Sequence, residues 1–311
     1  MARESLSAFC LPAGEFWALS KTEKRKSRMM NKELEKKVGQ AVKLLQVCYK
    51  AAGEPLQVAY SGGKDSDVIL ELAKMSGIMY RAIYKNTTID PPGTIKHVME
   101  NEVEIRRPKE SFFSLMSKNG YPSRMMRFCC AILKEYKILD NCVMGIRRCE
   151  SVKRSKRYSE PTECRGSGKN HVNAIYPILD WSDEDELEFI KERGIKLHPL
   201  YYREDGSIDI TKRLGCMCCP MAYYKKRLQE FKKYPGMVKA YLRCGNEFLK
   251  SHPESKTAKR FSDVYEFFVA DIFYKNYKDF VKAKGGMFDD KPDYKKLIED
   301  YFHISLTDYT L

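Results

Sequence analysis

The segment from Val58 to Val68 constrains this chain more than any other stretch of its sequence. It reads VAYSGGKDSDV, so an apolar strand end runs through a glycine turn into the start of an apolar helix. Such a turn brings backbone N–H groups close to an anion, and the positive end of the helix favours negative charge. Ser61 and Ser66 add hydroxyl donors and Lys64 adds a cation. The segment predicts a phosphate-binding loop; the alternative is a turn that only joins strand to helix.

The residues around this loop predict an α/β fold. Leu56–Tyr60 and Met79–Tyr84 have the composition of strands, and 65–75 between them has a helical pattern. A strand, a helix and a second strand in so few residues form a parallel unit with a right-handed crossover. We therefore expect an open parallel twisted sheet with helices on both faces. Its ligand would lie at the carboxyl ends of the strands, because the loop and the residues Asn86 and Asp90 follow two of these strands there.

Three regions are predicted along the chain. They are a basic helical segment (1–52), a nucleotide-binding domain that includes the cysteine clusters (53–220), and a helical, basic and aromatic region (221–311). Within the second region, 155–172 is rich in Ser, Gly and Pro and is predicted to be one polar loop. Ser182 is the expected N-cap of a helix, with Asp185 at the third helical position.

The charge balance favours polyanionic partners. The net charge is +14, from 56 basic and 42 acidic residues, which is typical of proteins that bind nucleotides or nucleic acid. Tyrosines alternate with lysines and arginines over 221–250 and can stack bases, although an amphipathic helix with an aromatic core face gives the same pattern. No apolar run is long enough for a membrane span, and we expect a cytoplasmic protein.

The cysteines form a second informative pattern. Of eleven, two are adjacent at Cys129-Cys130, and a Cys-x-x-Cys pair is formed by Cys216 and Cys219. Two short clusters of this kind supply four thiolates to zinc or to an iron–sulfur cluster. The alternative is four core cysteines without a metal.

These two patterns together carry a resemblance to a known superfamily. The loop Ser61–Ser66 resembles the SGGxDS pyrophosphate loop of the N-type ATP pyrophosphatases. The cysteine pattern, followed by Pro220, resembles that of the cluster-bearing adenylylsulfate reductases, in the phosphoadenylylsulfate (PAPS) reductase branch. The segments Gly145–Ser151, Tyr176–Trp181 and Pro199–Tyr201 match this branch as well. The resemblance covers about 55–222.

The resemblance implies a set of site residues. ATP would be held by Ser61, Gly62, Gly63, Lys64, Asp65 and Ser66, with Asp65 on Mg²⁺ and Asn86 and Asp90 near adenine or ribose. Phosphate would be bound by Arg147, Arg148 and Arg154, unless these are surface charges. Lys64, Asp65, Arg147 and Arg148 are the implied catalytic residues. A [4Fe–4S] cluster would be held by Cys129, Cys130, Cys216 and Cys219, with zinc as the alternative metal. Cys149, Cys164 and Cys218 are hypothetical sulfur carriers.

Two departures from the reductase pattern shape the functional expectation. Reductases carry a degenerate loop and a cysteine near the C-terminus, whereas this chain has the complete loop and no cysteine after Cys244. It looks closer to ATP-hydrolysing relatives in sulfur incorporation, such as DNA phosphorothioation proteins and tRNA thiolases. We expect an ATP pyrophosphatase that adenylates an acceptor and supports sulfur transfer, with a sulfur donor such as a cysteine desulfurase. The alternatives are an APS/PAPS reductase and a non-catalytic nucleic-acid-binding regulator.

Overall fold

The computed structural model describes residues 31–136, 140–165, 172–284 and 292–306. Most of the predicted basic N-terminal segment, up to residue 30, lies outside these ranges, as do residues 166–171 of the predicted polar loop. In the described part of the chain, no helix is long and apolar enough to cross a membrane.

Among the described residues, a six-stranded sheet forms the centre of the predicted nucleotide-binding domain, in the order β3-β2-β1-β4-β6-β5. The strands are β1 (Leu56–Tyr60), β2 (Tyr80–Lys85), β3 (Glu104–Arg106), β4 (Cys142–Val143), β5 (Thr162–Arg165) and β6 (Val172–Ile175). All neighbours are parallel except β5 and β6, which pair antiparallel. The predicted α/β class is therefore confirmed, and the sheet has one antiparallel edge.

Helices cover both faces of this sheet. They are α1 (Lys32–Ala52), α2 (Lys64–Ser76), α3 (Thr94–Glu100), α4 (Phe112–Asn119), α5 (Phe128–Leu133), α6 (Val152–Arg157) and α7 (Asp183–Arg193). Helix α1 buries Leu34, Val38, Ala41 and Leu45 at helical spacing, and it packs on α2. Helix α7 begins with the predicted capping box, because the Ser182 hydroxyl accepts from the Asp185 N–H while the Asp185 carboxylate accepts from the Ser182 N–H.

The prediction of one polar loop over 155–172 is wrong at both ends. Helix α6 continues to Arg157, and Thr162–Arg165 forms the antiparallel edge strand β5. Strand β5 contains Cys164. Its backbone pairs with β6, a contact that the polar composition of β5 does not predict. Its polar composition indicates exposure to solvent, and a strand at the edge of a sheet is exposed on the side that has no neighbouring strand.

A second core lies beside the sheet and is built mainly from helices after residue 220. These are α8 (Tyr224–Lys233), α9 (Pro235–Ser251), α10 (Val264–Ile272), α11 (Tyr277–Ala283) and α12 (Tyr294–Phe302). Buried aromatic rings dominate this core, among them Phe231, Tyr241 and Phe268. The core also includes Phe112 and Leu133 of α4 and α5. The C-terminal helices thus pack directly on the segment that contains Cys129 and Cys130.

The strand order places a crevice beside the predicted loop. Strand β1 lies between β2 and β4, so the connections after β1 and after β4 leave the sheet at the same edge. The two segments are in close contact: a Cβ added at Gly145 would lie only 2.8 Å from the Asp65 carbonyl oxygen. Glycine at 145 therefore allows the segment after β4 to pass directly against the start of α2.

Candidate functional site

The loop Ser61–Ser66 has the conformation of an anion-binding turn. Gly62 has φ of 76°, which favours glycine, and Gly63 is the extended N-cap residue of α2. In the described part of the chain no side chain caps this helix at Gly63. The Ser66 hydroxyl donates to the Gly63 carbonyl oxygen at 2.6 Å, and the Ser61 hydroxyl lies 3.3 Å from that of Ser66. The first turn of α2 is thus shaped to receive a phosphate.

Tyr201 is hydrogen-bonded to the start of α2 through its hydroxyl group. Its hydroxyl oxygen accepts the Lys64 N–H at 3.2 Å and the Leu214 N–H at 3.1 Å. The ring is buried, and burial raises the pKa of Tyr201 to about 12, so the hydroxyl stays neutral. One buried phenol therefore joins the loop to the segment that leads into Cys216.

A network of five charged side chains lies behind the loop. The buried Lys64 ammonium is 2.7 Å from the Glu186 carboxylate and 3.2 Å from that of Asp65. Arg147 is also buried, and its guanidinium pairs with Asp65 at 2.7 Å, Asp183 at 2.8 Å and Glu186 at 2.9 Å. Two cations thus face three carboxylates. The pairing holds Asp65 at the start of α2, where we predict that it binds Mg²⁺.

The two innermost carboxylates differ in acidity. Burial opposes the ionisation of Asp65, but the charges of Lys64 and Arg147 outweigh it and lower the pKa of Asp65. The side chain of Glu186 is fully buried, and burial together with the charge of Asp65 raises the pKa of Glu186 to about 7. One Glu186 oxygen, Oε1, has no hydrogen-bond partner in the described structure. Asp65 is therefore the permanent anion of the pair, and Glu186 takes up a proton near neutral pH.

The acidity of Glu186 predicts a pH-dependent stability. Its pKa is about 7 in the folded protein and close to 4.5 in the unfolded chain, so between these values the folded state binds more protons. The free energy of unfolding should therefore fall as the pH rises through this window, and the stabilisation should be complete only below the lower value. Urea titrations of wild type and of Glu186→Gln at several pH values measure the difference.

The control for this prediction is Glu184→Gln, because Glu184 is exposed on the same helix. We expect wild type and Glu184→Gln to lose stability in parallel between about pH 4.5 and 7, and Glu186→Gln to lose less. Asp65 does not interfere, since its pKa is lowered from 3.8: its stabilisation is constant above that value and is lost only as the pH falls further. Identical slopes for all three proteins would contradict the assignment.

The other two residues predicted to contact the nucleotide, Asn86 and Asp90, follow β2, and each forms hydrogen bonds within the turn after that strand. Asp90 accepts from the Tyr84 hydroxyl at 2.5 Å and from the Thr87 N–H at 2.9 Å, and Asn86 accepts the Thr88 N–H. These bonds order the turn after β2. Their roles toward adenine or ribose stay predictions.

The three predicted phosphate-binding arginines do not form one group. Arg147 is buried in the network behind the loop, whereas Arg148 faces Asp180 and the carbonyl oxygens of Tyr158 and Ser159. Arg154 is paired with Glu150. Of the three, Arg147 is the one in contact with a residue of the predicted ATP loop.

The four predicted metal-binding cysteines line one cavity of about 280 Å³, which we call the thiol cavity. Cys129 and Cys130 reach it from the first turn of α5, and Cys216 and Cys219 reach it from the segment before α8. The thiol of Cys216 is 3.4 Å from the Thr87 hydroxyl oxygen. Leu214 lines this cavity and also lies 3.3 Å from a Cβ added at Gly62, so the cavity and the ATP loop share a wall.

The surroundings of this cavity favour a thiolate at Cys130, whereas burial raises the pKa of Cys219. A hydrogen bond from Cys129 and the charge of Arg127 outweigh burial and lower the pKa of Cys130 to about 5. The pKa of Cys129 is raised correspondingly, because the two thiols share a hydrogen bond. Burial works against the charge of Lys134, but Cys216 and Asp90 outweigh it and raise the pKa of Lys134. A thiolate is the form that binds metals, so the donor set fits the predicted cluster.

Among the described residues, no three His, Cys, Asp or Glu side chains are arranged to hold a single metal ion. The fit to a metal centre therefore rests on four thiols at one cavity and on a thiolate among them. Cys218, the predicted spare thiol, is fully buried and does not line this cavity. Cys149 contacts the Arg147 guanidinium at 3.2 Å, and Cys164 lies on the edge strand.

The sequence patterns did not predict three features of this site. These are the buried carboxylate Glu186, the hydrogen bonds of the Tyr201 hydroxyl to two backbone N–H groups, and the buried histidines near Asp67. His97 and His198 are buried with ring centroids 6.0 Å apart, and His97 is 3.0 Å from the Asp67 carboxylate. These residues are separated in sequence and meet only in the fold. For Glu186 one indication existed: the acidic first turn of α7 contains a carboxylate on its buried side.

The sheet, the glycine loop and the crevice at the strand ends define an adenine-nucleotide-hydrolase-like α/β protein with a pyrophosphate loop. Within this class, the chain belongs to the family described as the phosphoadenosine phosphosulfate reductase domain, whose model matches residues 55–222.

The chain is also similar to the following proteins. An uncharacterized protein of Methanocaldococcus jannaschii is 28% identical over 236 residues, which are 70% of this chain and 54% of that protein. The chain thus spans about half the length of this relative. The solved phosphoadenylyl-sulfate reductase of Candida auris, a phosphate complex, is 17% identical with a TM-score of 0.40 over 59% of this chain and 97% of that one. The U34-tRNA thiolase NcsA of Methanococcus maripaludis, solved with its [4Fe-4S] cluster, is 15% identical with a TM-score of 0.36 over 71% and 82%.

Proposed function

We propose that this protein cleaves ATP between its α- and β-phosphates, adenylates an oxygen of an acceptor and supports replacement of that oxygen by sulfur. The observation that carries the proposal is the shared wall between the ATP loop and the thiol cavity. Leu214 touches both, and the two sites are joined again through the Tyr201 hydroxyl. A nucleotide at the loop and sulfur chemistry at the thiols would therefore meet at one crevice.

The chain's own residues account for the first step. The acceptor oxygen attacks the α-phosphorus, and the bond to the bridging oxygen of the β-phosphate breaks. The first turn of α2 would bind the departing pyrophosphate. The hydroxyls of Ser61 and Ser66 would add donors on exchanging their present bonds, which go to Ser66 and to the Gly63 carbonyl oxygen. Asp65, held by Lys64 and Arg147, would bind Mg²⁺, which neutralises phosphate charge when present. Lys64 and Arg147 thus act mainly through Asp65.

The second step replaces AMP by sulfur. Hydrosulfide attacks the activated carbon of the acceptor, a C–S bond forms, the C–O bond breaks and AMP leaves with the oxygen. No electrons are exchanged, so the step needs a sulfide source and no reductant. Lys134 and Arg213 line the thiol cavity and favour such an anion there.

A metal centre at the thiol cavity would be held by Cys129, Cys130, Cys216 and Cys219. A [4Fe–4S] cluster so held would brace the segments around it and would supply iron–sulfide chemistry beside the crevice. The four ligands come from α5 and from the segment before α8, so the bound group would also fix the C-terminal helices to the nucleotide-binding region.

The test is a product analysis of protein purified without oxygen and supplied with Mg²⁺, ATP, sulfide and a candidate acceptor. We expect AMP and pyrophosphate in equal amounts, because the proposed cleavage releases one of each. The matched control is the ATP analogue with a methylene bridge between the α- and β-phosphates, which should bind and yield neither product.

Other products would refute the proposal. ADP with phosphate would indicate cleavage between the β- and γ-phosphates. Sulfite from a sulfonucleotide, with ATP left intact, would indicate the reductase alternative. Retention of ATP without turnover, in the presence of each acceptor class tried, would indicate the regulatory alternative.

A further inference from the structure

A second cavity, of about 530 Å³, opens beside the thiol cavity; we call it the aromatic cleft. Its walls come from 119–126, from 220–227 and from helices α9 to α11. Pro220 and Ala222 line both cavities, so the two are adjacent. Most of the aromatic cleft lies beyond the residues that the family model matches.

Both walls of the aromatic cleft lead to the cysteines. One wall, Ser123–Met126, runs directly into α5 with Cys129 and Cys130. The other wall begins at Pro220, immediately after Cys219. A ligand lying in the aromatic cleft therefore has one end at the thiol cavity.

The surface of the aromatic cleft combines exposed rings with positive charge. Tyr223 is 52% exposed and Tyr277 is 39% exposed, the largest exposures among the Phe, Tyr and Trp residues that the structure describes. The Arg260 guanidinium stacks over the Tyr277 ring at 4.4 Å. Basic residues outnumber acidic ones along the walls, with Arg124, Arg227, Arg260 and Lys275 against Asp271 alone.

The lining of the aromatic cleft includes a buried donor and a buried acceptor that make no hydrogen bond. Arg227 Nε and Asp271 Oδ2 have no hydrogen-bond partner in the described structure, and Asp271 Oδ2 forms a longer ion pair with Arg227 Nη1 at 3.6 Å. Both residues line the aromatic cleft. Buried polar atoms are normally satisfied, so this pair is a reason to expect a ligand that offers both an acceptor and a donor.

We propose that the aromatic cleft binds single-stranded nucleic acid and presents one of its nucleotides to the thiol cavity. Stacking on tyrosine and arginine faces, phosphate contacts from lysine and arginine, and a base edge with both donor and acceptor match the features above. The inference rests on the proposed function in one respect: it names the acceptor for sulfur as a nucleotide.

Binding is tested separately from ATP cleavage. The probe is a fluorescently labelled mixed-sequence dodecamer, as DNA strand, as RNA strand and as DNA duplex, measured by anisotropy without ATP. We expect both single strands to bind more tightly than the duplex, because only unpaired bases can stack on tyrosine. The ratio of the two single-strand affinities shows which nucleic acid is preferred.

Two variants locate the site. Tyr223→Ala should weaken single-strand binding about five-fold or more, the loss typical of one stacking ring. Lys275→Ala should lower the slope of log affinity against log salt by about 0.7, the value for one phosphate contact on a single strand. Met99→Ala and Lys96→Ala are matched controls, since both side chains are exposed on α3 outside the aromatic cleft, and they should change neither quantity.

The outcomes separate this inference from the proposed function. Three results would each overturn the aromatic cleft as a nucleic-acid site. They are an unchanged affinity and salt slope in both cleft variants, duplex binding as tight as single-strand binding, and no binding by the wild type. AMP and pyrophosphate production would stand in all three cases. Loss of binding in the two cleft variants, with ATP cleavage absent from the wild type, would confirm the site and refute the enzyme.

Discussion

Replacing Arg147 by methionine is expected to lower the free energy of unfolding by about 3–5 kcal/mol, because it leaves the fully buried Glu186 carboxylate without one of its two cations. The Arg147 side chain is 2% exposed and the Glu186 side chain is fully buried. In the variant, Lys64 alone would compensate both Glu186 and Asp65. Urea-induced unfolding near neutral pH measures the loss.

Arg148→Met is the matched control for this prediction. Arg148 is the next residue in the chain, but its side chain is 29% exposed and its partner Asp180 is 68% exposed. An ion pair so open to water contributes little, and we expect a loss of about 1 kcal/mol. Equal losses in the two variants would show that the buried network behind the ATP loop does not hold this part of the fold.

Replacing Cys219 by serine is expected to remove bound iron almost completely, from about four atoms per chain to less than one. Cys219 lines the thiol cavity with three other cysteines, and a serine hydroxyl does not replace a thiolate as a ligand for iron. Iron, sulfide and zinc are measured in protein purified without oxygen, together with the visible absorption spectrum.

The control is Cys218→Ala, one residue earlier in the chain. Cys218 is buried away from the thiol cavity, so the variant should retain the metal content of the wild type. Iron in Cys219→Ser at the wild-type level, or equal iron loss in both variants, would contradict the assignment of ligands. One zinc per wild-type chain and no iron would identify the alternative metal.

Local patterns in the sequence predict the elements around the ATP loop well. Strand β1 has its predicted bounds, Leu56–Tyr60, and the helix after the loop begins one residue earlier than expected, at Lys64. The capping box at Ser182 is confirmed because its two hydrogen bonds involve residues only three positions apart. Interactions over such short separations are contained in the local sequence.

Contacts over long separations explain what the sequence does not predict. Arg147 reads as a phosphate ligand on a basic segment, but in the fold it is buried among carboxylates from α2 and α7. Its burial depends on the order of the strands and on where α7 crosses the sheet, and neither follows from the residues next to it. The same holds for β5, whose partner β6 and not its own composition makes it a strand.

The hydroxyl of Tyr201 also has a consequence for synthesis of the chain on the ribosome. Lys64 and Tyr201 are separated by 137 positions, and Leu214 follows later still. The loop Ser61–Ser66 is therefore synthesised long before Tyr201. Its hydrogen bond to the Tyr201 hydroxyl can form only after the intervening residues have been translated. We therefore expect the loop to gain its final conformation late in synthesis, and a chain interrupted before Tyr201 would contain the loop sequence without this hydrogen bond.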